Sequence, residues 1–285
     1  MQNGPKMKWT FMSLQILDDV RQGKMTFAEM FPRARAAGFV AYDASDMDAG
    51  FASREEVLAL CRDAGLRIAD YIHWVHMTDP DEAGVQAAIE SGKQAVHTAL
   101  AHGTHKLMIV ENVVPEDLAR MTREEAAEKM TRALRSIVEY AADYGVTVMV
   151  EDFPSPLLPM ATSAQMRKLL DGAPGLRLIL DTGNMLAQGE SPVEFAEKLA
   201  DEVAHVHLKD IEYPENATTG DVDCEGRRMW NAQHGEGVVD FGKILPLLKS
   251  RGFDGYVTVE YGPHEGTQDH FEKMAESIRY LEELI

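Results

Sequence analysis

Residues 203–211 read VAHVHLKDI. With the two-residue period of a β-strand, His205, His207 and Lys209 fall on one side, and Val206 and Leu208 on the other. The apolar side matches a strand face buried under other elements. The polar side would be costly in an ordinary core. In a closed parallel barrel helices cover the outer face, the inner face is filled by side chains, and chemistry gathers at the carboxyl ends of the strands. VAHVHLKDI fits such a strand.

Working outward, one rhythm recurs eight times: a short apolar run rich in β-branched residues, a polar residue, then an amphipathic stretch. The runs lie at 8–14, 38–45, 66–74, 105–112, 146–152, 176–183, 203–210 and 255–262. Between them, Ala126, Met130, Ala133, Ile137 and Tyr140 recur at helical spacing within 122–144, as do Phe241, Ile244, Leu245 and Leu248 within 241–251. Gly38, Gly65, Gly145 and Gly252 stand where a helix would end and turn back toward the next strand. Eight strand–helix units in 285 residues predict a single-domain α/β fold, a (β/α)₈ TIM barrel spanning residues 1–285. An open doubly wound sheet is the second choice, but no Gly-x-Gly-x-x-Gly follows the first run.

The chain carries 28 Lys and Arg against 47 Asp and Glu, a net charge of −19. Such a balance argues against nucleic acid and against anionic membrane surfaces, both of which select clustered cations. It also argues against a barrel endonuclease acting on DNA. No run reaches the roughly 18 apolar residues of a membrane span, and the first 20 residues lack a signal-peptide pattern. Cys61 and Cys224 are too few for a disulfide framework or a cysteine metal site. A cytoplasmic protein is expected, and a homo-oligomer is compatible with these features.

The fifth, sixth and eighth runs end in Glu151, Asp181 and Glu260, and the seventh carries His207. In a barrel these neighbouring strand ends aim at one small volume, where three carboxylates repel unless a cation sits among them. Oxygen ligands with one imidazole suit Mn²⁺, Mg²⁺ or Co²⁺, and Zn²⁺ is admissible. A divalent ion acidifies the α-hydrogen of a bound hydroxyketone, and a nearby carboxylate can take that proton to leave an enediolate. Epimerisation, isomerisation and loss of a β-leaving group all begin with this step, so the four residues alone do not separate them.

The segments VEDFPSP, LILDTGNML, HVHLKDI and HGEGVVDFGKILPLLKSRGFDGYVTVE resemble, in order and spacing, the xylose-isomerase-like sugar (phosphate) isomerase/epimerase family. ARAAGFVAYDAS carries the resemblance into the first half. The resemblance implies a divalent metal on Glu151, Asp181, His207 and Glu260, with Glu151 and Glu260 as an acid/base pair flanking a small carbohydrate. The expected function is a metal-dependent isomerase or epimerase acting on a small sugar or keto-sugar through an enediolate. The alternative is a metal-dependent lyase of the same fold, an inosose or dehydroshikimate type of dehydratase or an enzyme eliminating an aglycone from a keto-glycoside. Substrate contacts are expected from His205 and Lys209, from Arg227 and Trp230 in a long segment 212–234 read as a lid, and from His234 and His73. Asp210 is expected to cap a loop or hold a histidine, and Asn184 stands where the family pattern has a histidine.

Overall fold

The eight runs form eight parallel strands in the computed structural model, which describes residues 7–155, 158–261 and 269–285. Pro156 of VEDFPSP, Gly262 at the end of the eighth run and residues 1–6 of the N-terminal reading lie outside the described residues. The first seven strands are β1 (Lys8–Met12), β2 (Ala41–Ser45), β3 (Arg67–Val75), β4 (Lys106–Glu111), β5 (Thr147–Glu151), β6 (Arg177–Asp181) and β7 (Val203–Leu208). Three short strands follow, β8 (Asp210–Glu212), β9 (Asp221–Val222) and β10 (Arg228–Ala232), before β11 (Tyr256–Val259). The barrel closes in the order β1-β11-β7-β6-β5-β4-β3-β2, with Lys8 in register with Tyr256.

Alternation along each strand sorts its side chains between two cores. Phe11, Tyr42, Leu107, Val148, Leu180, Leu208 and Val257 face outward into the main core with the surrounding helices. Met12, Ile72, Met108, Val110, Met149 and Ile179 face inward and form a separate cluster inside the barrel. Each such buried side chain contributes about 1.5–3 kcal/mol. The helices between strands begin with reciprocal caps at Thr26–Glu29, Ser53–Glu56 and Thr122–Glu125. Two of them end at Gly38 (φ 109°) and Gly65 (φ 70°), a left-handed turn that a side chain would strain. No helix among the described residues is long and apolar enough to cross a membrane.

The segment 212–234, read as a lid, folds in part as strands. β10 pairs antiparallel with β8 and with β9, which makes a small sheet beside the barrel mouth. Its root is Asp210, fully buried, whose carboxylate accepts N–H groups from Ile211 (2.9 Å), Gly235 (2.9 Å), Gly237 (3.0 Å) and Val239 (3.1 Å). Asp210 is thus the loop cap that the sequence suggested. Asp210→Ala leaves four N–H groups without their acceptor and should lower Tm by roughly 6–10 °C in a thermal melt.

Candidate metal centre and its pocket

The four expected ligands come together because neighbouring strands end at staggered heights. Asp181 and His207 are register partners on β6 and β7, and Glu151 closes β5 beside Ile179. Glu260 follows β11 directly, its N–H donating to the Leu208 carbonyl at 2.8 Å. One ligand atom from each of Glu151, Asp181, His207 and Glu260 lies within 4.8 Å of the other three. His207 Nδ1 is 2.6 Å from Glu151 Oε1. The Lys209 ammonium sits 3.1 Å from Asp181 Oδ2 and 3.0 Å from Glu260 Oε2, and donates to Asn184 Oδ1 at 3.0 Å.

The remaining groups aim these atoms. Asp181 Oδ1 accepts the N–H groups of Gly183 (2.7 Å) and Asn184 (2.9 Å), which turns Oδ2 into the cage. Asp152 accepts the Asp181 N–H at 2.9 Å and holds Asn184 through its carbonyl at 2.8 Å. Glu151 Oε1, Asp181 Oδ2, Glu260 Oε2 and both His207 ring nitrogens are buried yet form no aligned hydrogen bond. The short contacts to His207 and Lys209 are therefore electrostatic approaches without hydrogen-bond geometry. Two ligands of one ion at ~2.1 Å lie about 3 Å apart with both lone pairs pointing at the ion, an arrangement that Glu151 Oε1 and His207 Nδ1 fit.

Electrostatics agree. Burial disfavours the His207 imidazolium, but the Glu151 and Glu260 charges outweigh it and push its pKa up to about 10. Burial raises the Asp181 carboxyl to about 6 against the pull of Lys209. Burial likewise opposes the Lys209 charge, and Asp181, Glu260 and Glu151 more than compensate, holding its pKa well above the ordinary lysine value. The cage attracts positive charge.

The cage forms one side of a cavity of about 240 Å³ at the carboxyl end of the barrel, shared by Glu151, His207, Lys209, Glu260 and Asn184. A larger cavity, about 470 Å³, opens by Lys106, Arg177 and Arg251 at the strands' amino ends. Conservation of fold, not chemistry, is what that end of a barrel ordinarily serves.

Of the expected substrate contacts, only Lys209 reaches the cavity; His205, His234, His73, Arg227 and Trp230 do not line it. His205 is fully buried below the cage, its Nε2 bonded to Thr258 Oγ1 at 2.7 Å, so a ligand in the cavity cannot touch it. His234 is buried with one nitrogen on Ser277 Oγ (2.9 Å) and the other on the Leu208 carbonyl (2.8 Å). His73 alternates with the inward Ile72 and Trp74, so it faces out, between Asp46 (2.7 Å) and Ser91 (2.9 Å). Arg227 is paired with Asp223 (2.7 Å) and stacked over Tyr213, and the Trp230 indole donates to the Thr219 carbonyl at 2.9 Å. Both residues serve the small sheet itself.

Two inward carboxylates escaped the sequence reading. Asp43 accepts the hydroxyls of Thr10 (2.9 Å) and Thr258 (2.8 Å), and burial raises its pKa to about 6. Burial and the Asp43 charge push Asp70 well above the usual carboxylate range. The signal was present in AYDAS and RIADY, each with an acid at an inward position of a strand. Glu111, by contrast, is sealed under a loop, accepting the N–H groups of Met77 (2.8 Å) and Thr78 (3.2 Å). His76 bridges Glu111 (3.2 Å) and Asp117 (3.0 Å). Burial works against its charge, but these acids raise its pKa above the ordinary histidine value. That stabilisation is complete below pH ~6.5 and fades as pH rises through the folded value. The Tm advantage of the wild type over His76→Gln should accordingly be larger at pH 5.5 than at pH 8.5.

A closed eight-stranded parallel barrel with three carboxylates and an imidazole at its carboxyl-terminal mouth defines the class as a barrel with a candidate cation cage. The chain belongs to the xylose isomerase-like TIM barrel family, whose sequence model matches residues 17–284. It is 26% identical over 189 residues to an inosose isomerase of Halalkalibacterium halodurans, covering 65% of this chain and 63% of that protein. It is 25% identical over 166 residues to an inosose dehydratase of Bacillus cereus, covering 56% and 55%. The matches thus span less than two thirds of these relatives' length. The fold is shared with a probable 3-DHS dehydratase of Bacillus anthracis, at a TM-score of 0.73 and 19% identity over 96% of this chain and 98% of that one.

Proposed function

We propose that the chain is a divalent-metal-dependent lyase that removes water from a hydroxy ketone, rather than an isomerase or epimerase. The observation that carries this reading is the inequality of the two glutamates. Epimerisation needs comparable acid/base groups on opposite faces of one carbon. Here Glu260 is held against the Lys209 ammonium at 3.0 Å, whereas Glu151 faces the imidazole of His207. His207 gives up its proton when it ligates a metal and so leaves Glu151 free to carry one, whereas Lys209 stays charged and keeps Glu260 engaged. The dehydratase names among the relatives point the same way.

Glu151, Asp181, His207 and Glu260 would hold the ion, and their unaligned buried lone pairs fit it. Three carboxylates and one imidazole favour Mn²⁺, Mg²⁺ or Co²⁺, with Zn²⁺ also accommodated. The ion supplies Lewis-acid polarisation of the substrate carbonyl. Glu151 takes the proton α to that carbonyl and then delivers the same proton to the departing β-hydroxyl. Water leaves and the carboxylate is regenerated, so one base suffices and the atoms balance. Lys209 keeps its proton and places a fixed positive charge beside the oxygens that gain electron density. The experiment is turnover of a panel of hydroxy ketones, from inosose and 3-dehydroshikimate to aryl-substituted ones, in D₂O with Mn²⁺. Release of water with formation of a conjugated enone supports elimination. Deuterium appearing in an intact, rearranged sugar would return the assignment to isomerase or epimerase.

A further inference from the structure

Resting on that reading, we propose that the substrate is a hydroxy ketone bearing an aromatic group, which packs on the wall opposite the cage, rather than a sugar hydroxylated all round. The cavity is two-faced. Apart from the Trp74 indole N–H, its polar side chains among the described residues are confined to the cage side, where Glu151, His207 and Glu260 would hold the ion and the remaining two are engaged with each other and their neighbours. Asn184 receives Lys209 on its oxygen and donates its amide to the Asp152 carbonyl. Lys209 is spent on Asp181, Glu260 and Asn184.

The facing wall is carbon and sulfur but for the indole N–H of Trp74. It consists chiefly of Met12 on β1, Ile72 and Trp74 on β3, Met108 and Val110 on β4, and Phe153 just after β5. These side chains continue the apolar cluster inside the barrel up to the cavity, so strand alternation fixes where they point. A polyol bound here would press hydroxyls against this wall, which among the described residues offers them one donor, the Trp74 N–H. Each unpaired hydroxyl costs roughly 5- to 150-fold in affinity. One sugar face can stack on one ring, which would use Trp74 or Phe153 alone. Met12, Met108 and Val110 present hydrocarbon and sulfur from further strands, beyond the reach of that explanation. Two aromatic side chains beside two thioethers form good contacts for an aromatic ring.

The test uses two probes with one chelating head: benzohydroxamic acid and erythronohydroxamic acid, titrated calorimetrically into the Mn²⁺-loaded and the metal-free protein. Benzohydroxamate should bind the loaded protein ~10- to 100-fold more tightly than the polyol probe, with both dependent on Mn²⁺. Val110→Thr, nearly isosteric, should narrow that ratio several-fold. Trp74→Leu, on a half-buried side chain, provides the same readout if the first variant has a lowered Tm. Mn²⁺-dependent binding in which the polyol probe is equal or tighter overturns the aromatic substrate and leaves the cage intact. Binding that ignores Mn²⁺, or no binding of either probe, removes the cage reading and this inference with it.

Discussion

Glu151→Gln should lower kcat by ~10²–10⁴-fold, the ordinary contribution of a positioned general base, while the protein still takes up a stoichiometric divalent ion. The substitution keeps the side chain's size and one oxygen able to face the cage, and it removes the group that carries the proton. Glu260→Gln should cost at least ~10-fold less, because Glu260 is held by the Lys209 ammonium at 3.0 Å, whereas His207 becomes neutral on ligating the ion and leaves Glu151 free to carry the proton. Metal content and KM, measured with kcat, separate lost chemistry from lost binding. Equal, large losses at both positions would favour a two-base epimerase. Near-normal turnover in both variants would remove the glutamates from the reaction altogether.

His207→Ala should reduce affinity for Mn²⁺ by more than the 10–100-fold typical of losing a group that merely supports a ligand. Chelation of the wild type should abolish activity, with Mn²⁺, Co²⁺ or Mg²⁺ restoring it. The barrel should stay folded, since both faces of β7 other than this one position remain packed: Val206 and Leu208 are buried in the outer core and His205 is held by Thr258. Circular dichroism with metal titration distinguishes the outcomes. A variant that retains wild-type affinity for the ion would show that the cage is a charge network and not a ligand set.

The barrel and the cage were legible because both rest on local rules. Period-two alternation set His207 on the polar side of its strand, an acid ending an apolar run marked Glu151, Asp181 and Glu260, and the helix-ending glycines such as Gly38 and Gly65 marked the units. Asp210 was legible as a cap for a similar reason: an acid directly after a strand, ahead of the glycines whose N–H groups it accepts. The substrate contacts were less so. His73 sits one residue from Ile72 and Trp74, and a one-residue difference in a strand exchanges the cavity for the helix layer. Arg227 and Trp230 depend on the fold of the small sheet, where Asp223 and the Thr219 carbonyl claim them. Residue type named them as binders, and only tertiary position shows that they are engaged elsewhere.

The closure of the barrel has a kinetic consequence. β1 and β11 are paired across almost the whole chain, Lys8 with Tyr256, so the last seam depends on contacts of very high sequence separation. Until it forms, both strands are open edges able to recruit other chains. Glu260 lies immediately beyond β11 and its N–H bonds the Leu208 carbonyl, so the fourth cage ligand arrives when β11 docks on β7, whether or not the seam with β1 is made. Tight uptake of a divalent ion during refolding would then report that docking event, and the ion would slow the separation of β11 from β7, which leaves the seam with β1 as the last step.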